Sequence, residues 1–178
     1  IIWYTHLMIF VTHGVVGGAL GAAMRTHPLL AFTAGFASHF ILDAFPHWQY
    51  KLESITHDPK SALSGDFAIG KKFFFDLIKI GTDFLASLVI TLIVIHGDVS
   101  SLKEFLTEGI FWGMMGGIVP DALQFLYAKW KHEPLTSLQR FHQWIHVSKD
   151  KERTGWYPLG IFLQVAIIVS AIYISTML

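Results

Sequence analysis
Five apolar runs, each near the roughly 20 residues that cross a hydrocarbon core as a helix, take up most of this chain: residues 3–24, 28–46, 73–95, 109–128 and 156–178. Composition agrees with them. Of 178 residues 53% are hydrophobic and 15% charged, with a mean hydropathy of +0.50, whereas a soluble domain carries roughly 25% charge. The expectation is an all-α, polytopic membrane bundle of five spans, forming a single domain over residues 1–178. A further segment, 135–147, sets Leu135, Leu138, Phe141, Trp144 and Ile145 at helical spacing on a polar background. Such an amphipathic helix suits the interface and is expected to dock on the bundle through that apolar stripe.

Charge sets the orientation. Thirteen Lys and Arg balance thirteen Asp and Glu, without the basic excess of a nucleic-acid-binding domain, so no nucleic-acid partner is expected. Arg25 and Lys103 fall on one side of the alternating runs. Lys51, Lys60, Lys71, Lys72, Lys129, Lys131, Arg140, Lys149, Lys151 and Arg153 fall on the other. The positive-inside rule makes the second face cytoplasmic, with the N-terminus inside and the C-terminus outside an inner or plasma membrane. Gly14/Gly18, Gly17/Gly21 and Gly109/Gly113/Gly117 recur every four residues, the pattern by which helix backbones approach closely in lipid.

The functional signal lies in what interrupts the apolar runs. An ionisable residue inside a membrane span is costly and marks a functional site by default. The first run holds His13. The second holds His39 and Asp43, with His47 four residues further on, a spacing that puts all three on one helical stripe. The third holds Asp76 and Asp83, and the fourth holds Asp121 in Val119-Pro120-Asp121. His142 and His146 repeat the four-residue spacing on the interfacial helix. At about 1.5 Å per residue, Asp43 lies roughly 5 Å deep from the cytoplasmic end, His39 about 10 Å, Asp121 about 12 Å, and His13 and Asp83 about 16 Å. Runs of opposite direction thus bring these groups to one half of the bilayer.

With ten histidines and no cysteine, the available donors are imidazole and carboxylate, which suit zinc and related divalent ions. The candidate ligands are His13, His39, Asp43, His47, Asp83, Asp121, His142 and His146, for one or more ions. A hydrogen-bonded network without metal is the alternative use of the same residues. Asp76 is set aside because Lys79 can pair with it three residues on. His27, His57, His96 and His132 read as surface histidines of turns and loops.

The sequence His39-x-x-x-Asp43 followed by Pro46-His47 resembles the histidine–aspartate helix motif of zinc-dependent phospholipases C. As a whole the chain is more similar to small integral-membrane proteins described as membrane-bound metal-dependent hydrolases. The likeness rests on Thr12-His13, Ser38-His39, Asp43, Pro46-His47, Pro120-Asp121 and Phe141-His142. It implies a metal-dependent hydrolase of phosphoester bonds, with lipid headgroups at the cytoplasmic leaflet as substrate. In that setting Asp83 or Asp121 could act as catalytic base, Lys71 and Lys72 would suit an anionic headgroup, and the 49–70 loop could close over it. A divalent-metal-binding or metal-transport protein would use the same ligands, but residues 90–95 and 110–115 offer little polar path to the far face. Haem, with His13 and His39 as axial ligands, is a third possibility.

Overall fold
The computed structural model describes residues 6–8, 10–45, 47–56, 63, 65–96, 102–145 and 157–177. Its organising element is a seam of glycines. Helix α1 (Phe10–Ala22) runs antiparallel to α5 (Gly109–Lys129), which forms the axis of the bundle. A Cβ at Gly17 would fall on the carbonyl of Gly113, one at Gly21 on the carbonyl of Gly109, and one at Gly117 on the carbonyl of His13. Helix α2 (Pro28–Asp43) meets α5 in the same way, through Gly35 against Gly113 and Gly116 against Phe32. Only glycine leaves room for backbones this close. The other face of α1 takes α3 (Lys71–Ile90), where Gly14 meets Ser87 and Gly18 meets Thr91, the first residue of the π-helical turn Thr91–His96 that prolongs α3.

The remaining helices complete the packing. Short α4 (Leu102–Thr107) leads into α5 and buries Phe105 with Val15, Ala19, Ile95 and Ile110. Helix α6 (Leu135–Ile145) lies across α5 and α2, and α7 (Tyr157–Ser175) packs on α1. A second core cluster joins Phe10, Leu52, Met114 and Ile118.

The molecule is mainly helical, as expected, but departs from five uniform spans. Among the described residues, two helices are long and apolar enough to cross a membrane: Lys71–His96, which is α3 with its π-helical turn, and Pro158–Ser175. Helices α1 and α2 have 13 and 16 residues, about 20 and 24 Å of rise against a core of about 30 Å. The 21-residue α5 has the length without the apolarity, its glycines contributing little.

Two small sheets also stand where none was expected. Residues assigned to the first span form β1 (His6–Met8), antiparallel to β2 (Gln49–Lys51). A short apolar, aromatic-rich segment is ambiguous between helix and strand, and here a partner strand decides. The 49–70 loop further folds β3 (Ile55–Thr56) against β4 (Asp66–Phe67). Ser54 N–H donates to Asp76 at 2.7 Å, and the Lys129 ammonium reaches Asp66 at 2.6 Å, holding that carboxyl below the usual carboxylate range. These bonds tie the loop to α3 and α5. Helix α2 stops at Asp43, three residues before Pro46, in keeping with the bias of residues preceding a proline away from helix.

Candidate metal centre
The glycine seam fixes which side chains meet. Gly117 lies against the backbone of His13, and His39 lies one turn beyond Gly35, so α1 and α2 deliver their imidazoles to the turn of α5 that ends in Asp121. Helix α6 then lays His142 over them. The side chains of His13, His39, Asp43, Asp121 and His142 are all buried.

His39 is the hub. Its Nδ1–H donates to the carbonyl of Gly117 at 2.8 Å. Pro120 has no N–H, and glycines at 116 and 117 put no side chains over the carbonyls of that turn. With the proton on Nδ1, a neutral His39 turns the Nε2 lone pair into the cluster, the usual arrangement of a metal-bound histidine. From His39 Nε2 it is 3.1 Å to Asp43 Oδ2, 3.2 Å to His142 Nε2 and 3.7 Å to Asp121 Oδ1. His142 Nε2 lies 2.7 Å from Asp43 Oδ2 and 3.8 Å from Asp121 Oδ1, and His13 Nε2 lies 3.4 Å from Asp43 Oδ1.

Ligand atoms about 2.0 Å from a tetrahedral ion sit about 3.3 Å from one another, and the separations here bracket that edge. Two overlapping triads satisfy the geometry, His13–His39–Asp121 and His39–Asp43–His142, each with one ligand atom per residue and all within 4.8 Å of one another. Among the described residues, Nδ1 of His13 and Oδ2 of Asp121 are buried and have no hydrogen-bond partner. Orphaned polar atoms of this kind cost free energy that a bound cation would offset. Two carboxylates buried in one cluster would, when ionised, carry a charge that a divalent ion balances. The residues present therefore fit a divalent ion.

The other expected ligands fare differently. Asp83 is not in the convergent set: its carboxylate accepts the backbone N–H groups of Phe10 at 2.5 Å and Val11 at 3.2 Å, capping the start of α1 from another helix. His47 leaves the helical stripe because α2 has ended. Its Nδ1–H donates to Phe45 O at 2.7 Å, and Gly160 and Gln164 of α7 pack on the backbone at His47 and Trp48. Burial pushes its imidazole below the usual range, partly countered by the Asp43 carboxylate. His146 lies outside the described residues.

Asp76 pairs with Lys79 at 3.2 Å, as its spacing indicated. His27 and His132 are exposed, but His96 is not the surface histidine expected. At the end of the π-helical turn it packs on Phe105, 3.5 Å from a Glu108 carboxylate that also meets Arg25 at 3.4 Å. The rings of His13 and His39 stack at 4.0 Å with 25° between their planes, which leaves no room for a porphyrin between them.

Sequence reading missed two residues. Gln124 donates to Asp121 Oδ1 at 2.8 Å, and Gln139 of α6 donates to Gln124 Oε1 at 3.2 Å. Their signal was present only as spacing, three residues after Asp121 and three before His142. Comparison of the chain with protein-family models, curated proteins and solved structures returns no match.

Proposed function
We propose that the chain is a membrane-embedded, metal-dependent hydrolase of phosphoester bonds, acting on lipid headgroups at the cytoplasmic leaflet. One observation carries the reading: three imidazoles and two carboxylates from four helices converge at tetrahedral spacing in a buried cluster. Zinc is the ion proposed, held by His39 and Asp43 with His142, and by His13 and Asp121 on the adjoining side. A divalent ion there supplies Lewis-acid polarisation of a phosphoryl oxygen and lowers the pKa of water. Asp121, to which Gln124 donates a hydrogen bond, is the proposed acceptor of the proton of an attacking water. Asp83 is occupied at the N-terminus of α1, so the proposed base is Asp121 alone.

The membrane part of the proposal keeps five crossing segments. Candidate spans α3 and α7 provide full-length crossings, while α1, α2 and α5 cross together as a glycine-packed unit whose shorter members end at the cluster and the 49–70 sheets. The basic loops then face the cytoplasm.

Closure of the cluster favours a second reading, a divalent-metal-binding or transport protein, because a catalytic metal site keeps an open position. Purified protein in detergent distinguishes them, since no gradient exists there. A hydrolase should release phosphate or alcohol from phospholipid, with stoichiometric zinc, and His39→Ala or Asp43→Asn should abolish both. Full cleavage by both variants would overturn the proposed ligands. Bound zinc with no cleavage, together with zinc uptake into proteoliposomes, would establish the second reading.

A further inference from the structure
Helix α6 turns two polar side chains inward and two aromatic rings outward. Gln139 and His142 are 8% and 2% exposed, while Phe141 and Trp144 are 42% and 77% exposed. This divides the apolar stripe expected to dock: Leu138 and Ile145 are half-buried, while Phe141 and Trp144 face outward, which is not how a surface helix sits in water. Ser137 and Arg140 share the outward side. A helix face that combines aromatic rings with a guanidinium matches the headgroup layer of a bilayer, where aromatics settle and cations meet anionic lipid.

The inward attachment is part polar and part apolar, with Leu135, Leu138 and Ile145 half-buried. His142 and Gln139 make polar contacts with the cluster and with Gln124, and Phe141 meets Phe40 edge-on with ring centroids 4.9 Å apart. An 11-residue helix is marginal by itself, so its seat depends on what its outer face touches.

We infer that the outward face of α6 docks into the headgroup layer of an anionic lipid leaflet, and that this docking holds His142 and Gln139 over the cluster. The inference rests on the membrane metal-centre reading and adds its regulation: lipid contact seats one ligand of the site, and loss of contact opens the pocket.

The chain has no cysteine, so Ser137→Cys creates a unique position for an environment-sensitive dye on the full-length protein. In vesicles of phosphatidylcholine with phosphatidylglycerol, dye emission should shift to the blue and be quenched by headgroup-level nitroxide lipid. Emission characteristic of water would overturn the docking, and equal quenching in phosphatidylcholine alone would overturn the preference for anionic lipid. In the mixed vesicles a Phe141→Ser/Trp144→Ser variant should exchange its α6 amide hydrogens about tenfold faster or more. Protection equal to the parent would overturn the coupling between lipid contact and the seat of His142. Zinc titration of the parent is a separate measurement. Failure to bind zinc would sink the metal reading, while the dye and exchange results would still decide whether α6 docks in lipid.

Discussion

At Asp121, one carboxylate oxygen accepts the amide of Gln124 and the other makes no hydrogen bond. The amide aims the carboxylate, and aim matters because outer partners of a metal ligand typically contribute 10–100-fold in affinity. Gln124→Leu should therefore weaken zinc binding by about 10–100-fold with helix content unchanged, as read by competition with a chromophoric chelator. Unaltered affinity would show that Asp121 needs no positioning. His39, Asp43, Asp121 and His142 were legible in the sequence because an ionisable group in an apolar run, or a matched pair on an adjoining helix, is an exception that calls for a reason. Gln124 and Gln139 were not, since a neutral amide near a helix end is ordinary. The role of Asp83 was hidden for a different reason. Its partners are backbone N–H groups 73 and 72 residues away, and every residue except proline has such a group.

Among the helices, the spacing of small residues decides alignment. The α1–α5 contacts pair residue 13 with 117, 17 with 113 and 21 with 109, so the antiparallel register that seats glycine on glycine also sets His13 beside the turn of Asp121. Gly117→Ala would drive a methyl group into the His13 carbonyl, and overpacking of this kind costs about 1–3 kcal/mol. The variant should melt at lower temperature in detergent and bind zinc less tightly, because His13 must move with its backbone. Gly81→Ala is the control, since nothing lies within 4 Å of an added Cβ there, and it should leave both measurements in place. A Gly117→Ala protein that melts and binds like the parent would remove the seam as the device that aligns the site. Helix ends were harder to read than helix positions. The end of α2 ahead of Pro46 takes His47 off the stripe, and β1 takes the start of the first apolar run into a sheet.

For the molecule as a whole, the proposed arrangement puts α4 and the Arg25 turn on one face of the membrane and α6 on the other. With no native cysteine, single replacements report side directly. Glu104→Cys should react with an impermeant maleimide from outside intact cells, and His132→Cys should react only after the membrane is opened. Both reacting from the same side would refute an odd number of crossings between those positions. This test bears on the span represented by α5, which by length and apolarity does not qualify alone.

The helical class, the charge asymmetry and a set of eight candidate residues, five of which converge, were legible in the sequence by itself, because hydropathy, basic-loop bias and the cost of a buried charge are local properties of residue type. Pairing belongs to the tertiary structure. It brought His142 over Asp43, gave Asp83 to the start of α1 and folded the 49–70 loop into sheets. It also turned Gln139 and His142 of α6 inward and Phe141 and Trp144 outward. The apolar stripe 138–141–144–145 specifies a helix with two unlike faces, and no periodicity says which face meets protein and which meets its surroundings. That choice goes to the inner partners: His142 lies 2.7 Å from the Asp43 carboxylate and Gln139 donates to Gln124 Oε1 at 3.2 Å, buried polar contacts worth more than those the same groups would make outside, and the rings of Phe141 and Trp144 are left to the outside.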